Sequence, residues 1–516
     1  MAAVAEAQDV ATRSVAMMFQ SGVEEAAKTL NEFPCKTASL DCAMCFVKSV
    51  QCLLTFDFDV MDRADAFIKD VEHRCSASIK SAHSDEDSMM LRIITADCEL
   101  LRALLAFARQ TLANYVRGGM HLRSASKTYT SIITELKKRS ASNKRVEAAC
   151  SMGFGAVNVA VSLLPEKVMG LLKLVGFRGN RRQGLESLEV AARSSDMRAP
   201  FSMLLLLAYN VVTRPVLGID VSDGMNSAIQ AGTGILELSK SVCPDAALFT
   251  YFYGRVEFLK KDVDKALEFF SEAATACSHQ PEMHQLCQYE IAYIKIVSLK
   301  WSEASDIFLS LCRSSPWSPA MYAFFSSITL AATGAYDESN AKLESVPELM
   351  KAKSTALEKL VRHKVSTFTA KRLTEQSARV ELLVMAYMSN YINWCGPELC
   401  EDIVDYLDEH ENDISSDVYF YSCSSLVRGA ALIQLEEADR AEVHLRNVLT
   451  HAQTCVQTTD SHVPAHATLL LANVYKMRGE TDKARNALEK TKSLYTDYEL
   501  ESQVQTKVKA CLEALS

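Results

Sequence analysis

Few groupings in this chain have residue types and spacings that chemistry could use. Cys42-Ala43-Met44-Cys45 has the CxxC spacing of thiol redox pairs and of half a zinc site. A redox pair asks for a thiolate at a helix start beside a strand, and zinc asks for two further ligands. Here the pair sits inside an apolar helical stretch with Cys52 two turns on, so it reads as buried small side chains. Cys277, His279, His284 and Cys287 fall close together, as do His451, Cys455, His462 and His466. Four N/S ligands suffice for tetrahedral zinc, but neither spacing matches a finger, and packed helical hairpins need no metal to fold. No metal and no cofactor is expected.

The loop from Gly176 to Gly184 (GFRGNRRQG) is glycine-rich and leads into a helix, an arrangement that suits phosphate. It lacks the Gly-Lys-Ser/Thr ending of a P-loop. Two readings stay open: an inter-helix turn with Gly supplying positive φ, or an anion-binding surface built on Arg178, Arg181 and Arg182 for acidic lipid headgroups or an acidic peptide. Two basic stretches stand out elsewhere. Arg117 to Arg145 holds Lys/Arg at 117, 123, 127, 137, 138, 139, 144 and 145 against one acid, Glu135. Lys351 to Arg372 holds seven Lys/Arg and His363 against Glu358. Such runs read as solvated helix faces, or as partner- or membrane-facing surfaces if they coincide in space. There is no G-x-S-x-G, no H-E-x-x-H and no G-x-G-x-x-G after a strand. The chain is therefore expected not to be an enzyme.

What must position these residues is helical. Only 18 Gly and 11 Pro occur in 516 residues, so turns and strand punctuation are scarce, and hydrophobic residues reach 48%. The net charge of −9 does not favour nucleic acid. Sixteen Cys in a long chain whose first residues lack a signal-peptide pattern point to reduced thiols and a cytoplasmic protein. The apolar stretch Phe201 to Val212 falls short of the ~20 residues that cross a bilayer. A second one, Val157 to Phe177, is broken by Pro165, Glu166 and Lys167.

A tetratricopeptide unit needs a small residue where its two helices cross, an apolar residue a turn later and a tight turn between helices. Tyr475, Gly479, Ala484 and Leu488 supply this pattern, as do Gly254, Ala266 and Phe270. Ala292, Trp301, Ala304 and Phe308 repeat it, then Gly334, Ser339 and Leu343, then Gly429, Ala441 and Leu445. The N-terminal half is less regular. Val23–Leu30, Asp41–Leu54 and Ala64–Val71 read as helices, and a long helix is predicted from Ser88 to Val116. Gly118 and Gly119 are expected to end it, with another starting near Ala125. The expected organisation is an irregular helical region over 1–240, repeats over 241–350, basic connecting helices over 351–415 and repeats over 416–516. The fold class is all-α, a helical-hairpin α-solenoid with a less regular N-terminal half.

Several stretches resemble the tetratricopeptide repeat protein 39 family, which includes the fungal inclusion body clearance proteins. The most specific is FGAVNVAVSLLPEKVMGLLKLVGFRGNRRQGLESL, Phe154 to Leu188. Others are Leu54-Thr55-Phe56-Asp57, the run Val116 to Tyr129, Met197-Arg198-Ala199-Pro200, and Ala356-Leu357-Glu358-Lys359 with Arg362. The resemblance implies an adaptor without enzymatic chemistry, from a family linked to lipid and sterol homeostasis, cilium assembly and clearance of aggregated protein. Partners are expected to be other proteins or peptides, with peripheral contact to anionic lipid as the alternative. That alternative would use the apolar segments near 157–177 and 201–212 and the arginine loop between them.

Overall fold

The computed structural model describes the chain apart from residues 1, 56, 110, 140–142, 164–178, 220–224, 316, 351–355, 371–372, 454–461, 497 and 516. Every regular element among the described residues is helical. The helices group into two compact units: Met1–Tyr209 with Ala231–Phe249, and Asn210–Gln230 with Thr250–Ser516.

The second unit is a stack of helical hairpins. They pair Ala247–Leu259 with Val263–Ala276, Pro281–Val297 with Trp301–Ser314, and Pro319–Ala332 with Tyr336–Leu349. Then come Glu375–Met388 with Pro397–Glu409, Val418–Gln434 with Ala438–Thr450, and His462–Met477 with Thr481–Leu494. Each turn uses one device. Lys261, Leu299, Gly334, Asn390, Glu436 and Gly479 all lie in the left-handed region, at φ between +57° and +83°. The N–H of the next residue reaches back to the carbonyl five residues earlier, as in Lys300 to Lys295 and Glu480 to Tyr475 (both 2.8 Å). This is a Schellman turn, which satisfies the carbonyls that a helix end leaves open.

Five residues beyond the left-handed position comes the crossing residue. Ala266, Ala304, Ala441 and Ala484 are fully buried and Ser339 nearly so. In the fourth hairpin a 3-10 turn, Ile392–Trp394, intervenes, and Cys395 holds that offset ahead of the second helix. Opposite the crossing, Gly254 and Gly429 sit under Phe270 and Leu445; a Cβ on either would come within 2.7 and 2.6 Å of those side chains. The apolar faces of both helices thus close on each other and on the neighbouring hairpins, which is how a repeat buries a core it cannot bury alone.

The first unit is irregular. The hairpin of Asp85–Ala108 and Leu112–Lys137 departs from the sequence expectation. The helix ends at Ala108, the next starts after the Thr111 N-cap, and it runs straight through Gly118 and Gly119. Gly118 is there for contact rather than as a breaker, since a Cβ would meet the Phe107 ring at 2.6 Å. The inner face of Leu112–Lys137 (Leu122, Ala125, Tyr129, Ile132) packs with Met89, Ile93, Val146 and Phe154. The second hairpin joins Lys144–Ser162 to Arg181–Ala192.

Candidate functional site

The arginine loop is resolved into a helix start. Arg181 and Arg182 form the first turn of Arg181–Ala192, and the Asn180 side chain caps that helix by accepting from the Gln183 N–H (3.1 Å). Arg178 lies outside the described residues. Arg182 projects into solvent, 90% exposed, and pairs along its own helix with Glu186 (3.0 Å). The glycines answer a different need from the one expected. Gly179 and Gly184 do not have positive φ. A Cβ on Gly184 would meet Asn158 and Val159 at 2.9 Å, one on Gly155 would meet the Gly184 carbonyl at 2.7 Å, and one on Gly179 would meet the Ser162 nitrogen at 2.7 Å. Asn158 ties the approach by accepting from the Asn180 N–H (3.0 Å). The loop is therefore where two helices touch backbone to backbone.

A second site is one that sequence reasoning missed. Arg198 and Asp97 are fully buried against each other. Arg198 Nε and Nη2 donate to Asp97 Oδ2 (2.8 and 2.6 Å), and Nη1 donates to Asp196 (3.0 Å). The Tyr129 hydroxyl donates to the other Asp97 oxygen (2.6 Å), and its ring lies over Gly153. Cys42 Sγ lies 3.5 Å from the guanidinium. Burial works against the arginine's charge, but the Asp97 and Asp196 carboxylates more than offset it and hold its pKa above the usual guanidinium range. The node joins three helices and the turn before Ala199, so its role is to fix their packing.

The two basic stretches behave differently. In the first, Arg117 pairs with Asp65 (2.9 Å), Arg139 with Asp85, and Arg145 with Glu86 (2.8 Å). Arg92 takes Glu135, holding that carboxyl down to about 2. Arg123, Lys127, Lys137, Lys138 and Lys144 are exposed. The second stretch is divided where it is described: Lys359 and Arg362 are exposed, as a solvated face would have them, but two charges turn inward. Lys364 is buried on Glu381 (2.6 Å) and donates to Tyr419 (2.9 Å), and Glu358 is buried too.

The Cys277 and Cys287 side chains share a hydrogen bond, but the cysteine and histidine groupings go no further. Among the described residues no three His, Cys, Asp or Glu converge as a metal site. Burial pushes the Cys42 thiol up and Cys75 up to about 12, opposite to what a thiolate nucleophile needs. His284 is engaged by the Ala274 carbonyl (2.9 Å) and His466 by the Tyr387 hydroxyl (3.1 Å). Cys455 lies outside the described residues. His462 is fully buried and neither ring nitrogen has a hydrogen-bond partner.

Within the second unit a polar cluster clamps non-adjacent hairpins. Glu290 accepts from Tyr251 (2.7 Å), Arg255 (2.9 Å) and Tyr391 (2.7 Å), while the Tyr391 ring stacks on Tyr293 at 4.3 Å. The first, second and fourth hairpins meet there, so the repeats' own side chains fill that place. Nearby, a cleft of ≈ 350 Å³ is lined by Leu299, Lys300, Trp301, Ser302, Glu303, Thr333 and Arg379. Arg379 is already engaged by the Ala332 carbonyl (3.0 Å), Glu375 and the Trp301 and Tyr406 rings. The apolar segment 201–212 is likewise occupied, with Phe201 stacked on Phe46 and a π turn over Ala208–Thr213. Of the helix Ala199–Leu217, 56% is buried, while Leu205 stays exposed.

Solved helical-repeat structures overlap this chain at low similarity. A monomeric mutant of IFIT1 with Gppp-AAAA shares 11% identity over 86% of this chain and 95% of that one, with a TM-score of 0.32. The Cut9–Hcn1 hetero-tetramer of the APC/C shares 14% over 96% and 94%, with a TM-score of 0.26. Yeast Tom70 shares 12% over 98% and 96%, with a TM-score of 0.24. At these scores the overlaps carry no further argument. Residues 12–435 match the family model of Iml2/Tetratricopeptide repeat protein 39, a span that reaches into both units and takes in the arginine loop and the Arg198 node. The chain is a member of the Iml2/tetratricopeptide repeat protein 39 family, with the helical-repeat build of a protein-interaction scaffold.

Proposed function

We propose that this protein is a cytoplasmic, non-enzymatic adaptor that holds other proteins or peptides on its helical surfaces. The observation that carries this reading is the stack of hairpins with one turn geometry and one crossing register, in a chain of this family. Such a stack presents helix faces at regular spacing, which suits recognition of a partner's segment. The buried Arg198, Tyr129, Arg255 and Tyr391, whose acidity is shifted, are engaged in packing nodes, and Glu303, which lines the cleft beside Trp301, is held by Lys295. The partners belong to the processes linked to the family: lipid and sterol homeostasis, cilium assembly and clearance of aggregated protein. Nucleic acid is not among them, given the charge of −9.

The test is proximity labelling in cells followed by titration calorimetry with purified candidates. A saturable complex of one-to-one stoichiometry supports the reading, and a chain that binds none of its labelled neighbours defeats it.

The arginine loop has a place in this reading as an anion contact. Arg182 is the exposed member, with Arg181 next to it at the helix start and Arg178 preceding them in the sequence. Changing Arg178, Arg181 and Arg182 together to Glu should leave the melting temperature nearly unchanged and weaken capture of acidic partners or anionic vesicles. Undiminished capture by the folded variant would reduce the loop to a helix contact.

A further inference from the structure

The outward side of the helix Leu112–Lys137 is a surface that the first unit does not use. At ~100° per residue, Val116, Met120, Arg123, Lys127, Thr134 and Lys138 fall on one line, within about 60° of each other. Val116 is 59% exposed and Met120 63%, whereas Tyr115 lies about 100° round the helix from Val116 and rests against the Phe107 ring. Gly119 between them has open space where a Cβ would stand. Further along, Arg123, Lys127, Lys137 and Lys138 are exposed, and Lys144 follows on the next helix. None of these five has an acidic partner among the described residues, while Glu135, the acid of this stretch, is held by Arg92. On a chain of charge −9, this face carries a line of cations beyond an exposed apolar turn.

The layout selects its occupant. A helix lying in a bilayer presents a wide apolar face along its length, with cations to the sides. Here the apolar residues cover little more than one turn, and the cations continue the same line, over ~33 Å from Val116 to Lys138. That is a linear pattern, and it complements a linear one. We propose that this face docks an acidic segment of a partner protein, with an apolar anchor on Val116 and Met120 and carboxylates alongside Arg123, Lys127, Lys137 and Lys138. The two exposed apolar side chains supply burial, and the cations fix direction and register. The proposal rests on the adaptor reading and names the chemistry of the partner.

The full chain is titrated against a fluorescein-labelled model peptide with two leucines at one end and a glutamate-rich remainder. Its lysine counterpart and phosphatidylserine vesicles serve as further probes. Saturable binding of the acidic peptide is expected, weakening at least tenfold between 50 and 300 mM salt, on the order expected for a contact of several charges. Arg123→Glu, Lys127→Glu and Lys137→Glu together should weaken it at least tenfold. Val116→Ser with Met120→Ser should weaken it several-fold with the salt dependence retained. Because both variants alter exposed side chains, an unchanged circular dichroism melt is expected, and the second checks the first by an independent route. Equal affinity of the variants and the parent overturns the proposal. So does loss of vesicle binding in the charge variant when the acidic peptide is ignored, which makes the face a lipid surface. Cellular partners captured equally by parent and charge variant leave the adaptor reading standing and remove this face from it. A chain that captures no partner removes the adaptor reading itself.

Discussion

The two units bring helices together by different means. In the second, a small residue five positions past a left-handed turn lets the helices cross, and hairpin after hairpin repeats the solution. In the first, helices meet through glycines that allow backbone contact (Gly155 on Gly184, Gly118 under Phe107) and through the Arg198–Asp97–Tyr129 node. A repeated crossing tolerates many residues, because only size at one offset matters. A crossing made once depends on particular side chains. The longest family motif, Phe154 to Leu188, and Met197 to Pro200 both belong to the irregular unit, where the crossings are made once.

The largest effect expected from this contrast is at Arg198. Arg198→Ala leaves Asp97 buried without its partner, which should cost about 3–5 kcal/mol. The three tryptophans, at 301, 317 and 394, all belong to the second unit. Urea unfolding followed by circular dichroism should show an early transition in the variant, while tryptophan fluorescence keeps its midpoint. If both signals shift together, the units unfold as one and the division loses its energetic meaning.

The sequence made the second unit readable and hid the reasons for the first. Ala266, Ala304, Ser339, Ala441 and Ala484 stood out because smallness recurs at a helical offset. The fourth hairpin was missed because a 3-10 turn displaces its second helix and a cysteine, Cys395, holds the crossing offset. Gly118 and Gly119 look like a break, and only the Phe107 ring shows why one of them sits inside a helix. Arg198 stood within a quoted motif without a role, because its partners Asp97 and Tyr129 lie far away in sequence. Nor did the Arg117–Arg145 run reveal which of its cations pair, since the acids come from other helices.

The next effect separates the units by acidity. Burial lowers the pKa of His462 well below the usual imidazole value and that of His466 to about 3, both in the second unit. A folded pKa below the unfolded one gives stability that is complete above pH ~6.5 and is lost as pH falls through that value. From pH 7 to 5.5 the two together should cost about 2–3 kcal/mol. The tryptophan-detected urea midpoint should fall over this range, and the fall should shrink in His462→Gln/His466→Gln. A midpoint flat with pH would mean that the imidazoles take up protons in the folded protein as readily as in the unfolded chain.

Smaller effects compare the crossings directly. Ala304→Leu adds three carbons at a repeat crossing, and Gly155→Ala adds one where a Cβ would sit 2.7 Å from the Gly184 carbonyl. Each should cost about 1–3 kcal/mol, despite the difference in size. Thermal melts of the two variants measure this. A silent Gly155→Ala would mean that the first unit's glycines are not there for contact.

The smallest effect runs toward added stability and concerns the repeat turns themselves. Lys261 and Glu436 hold left-handed positions that Gly334 and Gly479 hold elsewhere, with side chains exposed to solvent. A residue with a Cβ in that region costs about 1–2 kcal/mol. Replacing it with glycine gives back about 0.4–1 kcal/mol of that through the greater freedom of the unfolded chain. The difference favours glycine, so Lys261→Gly and Glu436→Gly should each stabilise the second unit by about 0.5–1 kcal/mol. Gly479→Ala should destabilise it by a similar amount. The tryptophan-detected urea midpoint reads all three, since the Schellman hydrogen bonds are backbone to backbone and survive the change. Glycine variants that destabilise would show that the Lys261 and Glu436 side chains are held by contacts, and that the turns are less alike than their backbones.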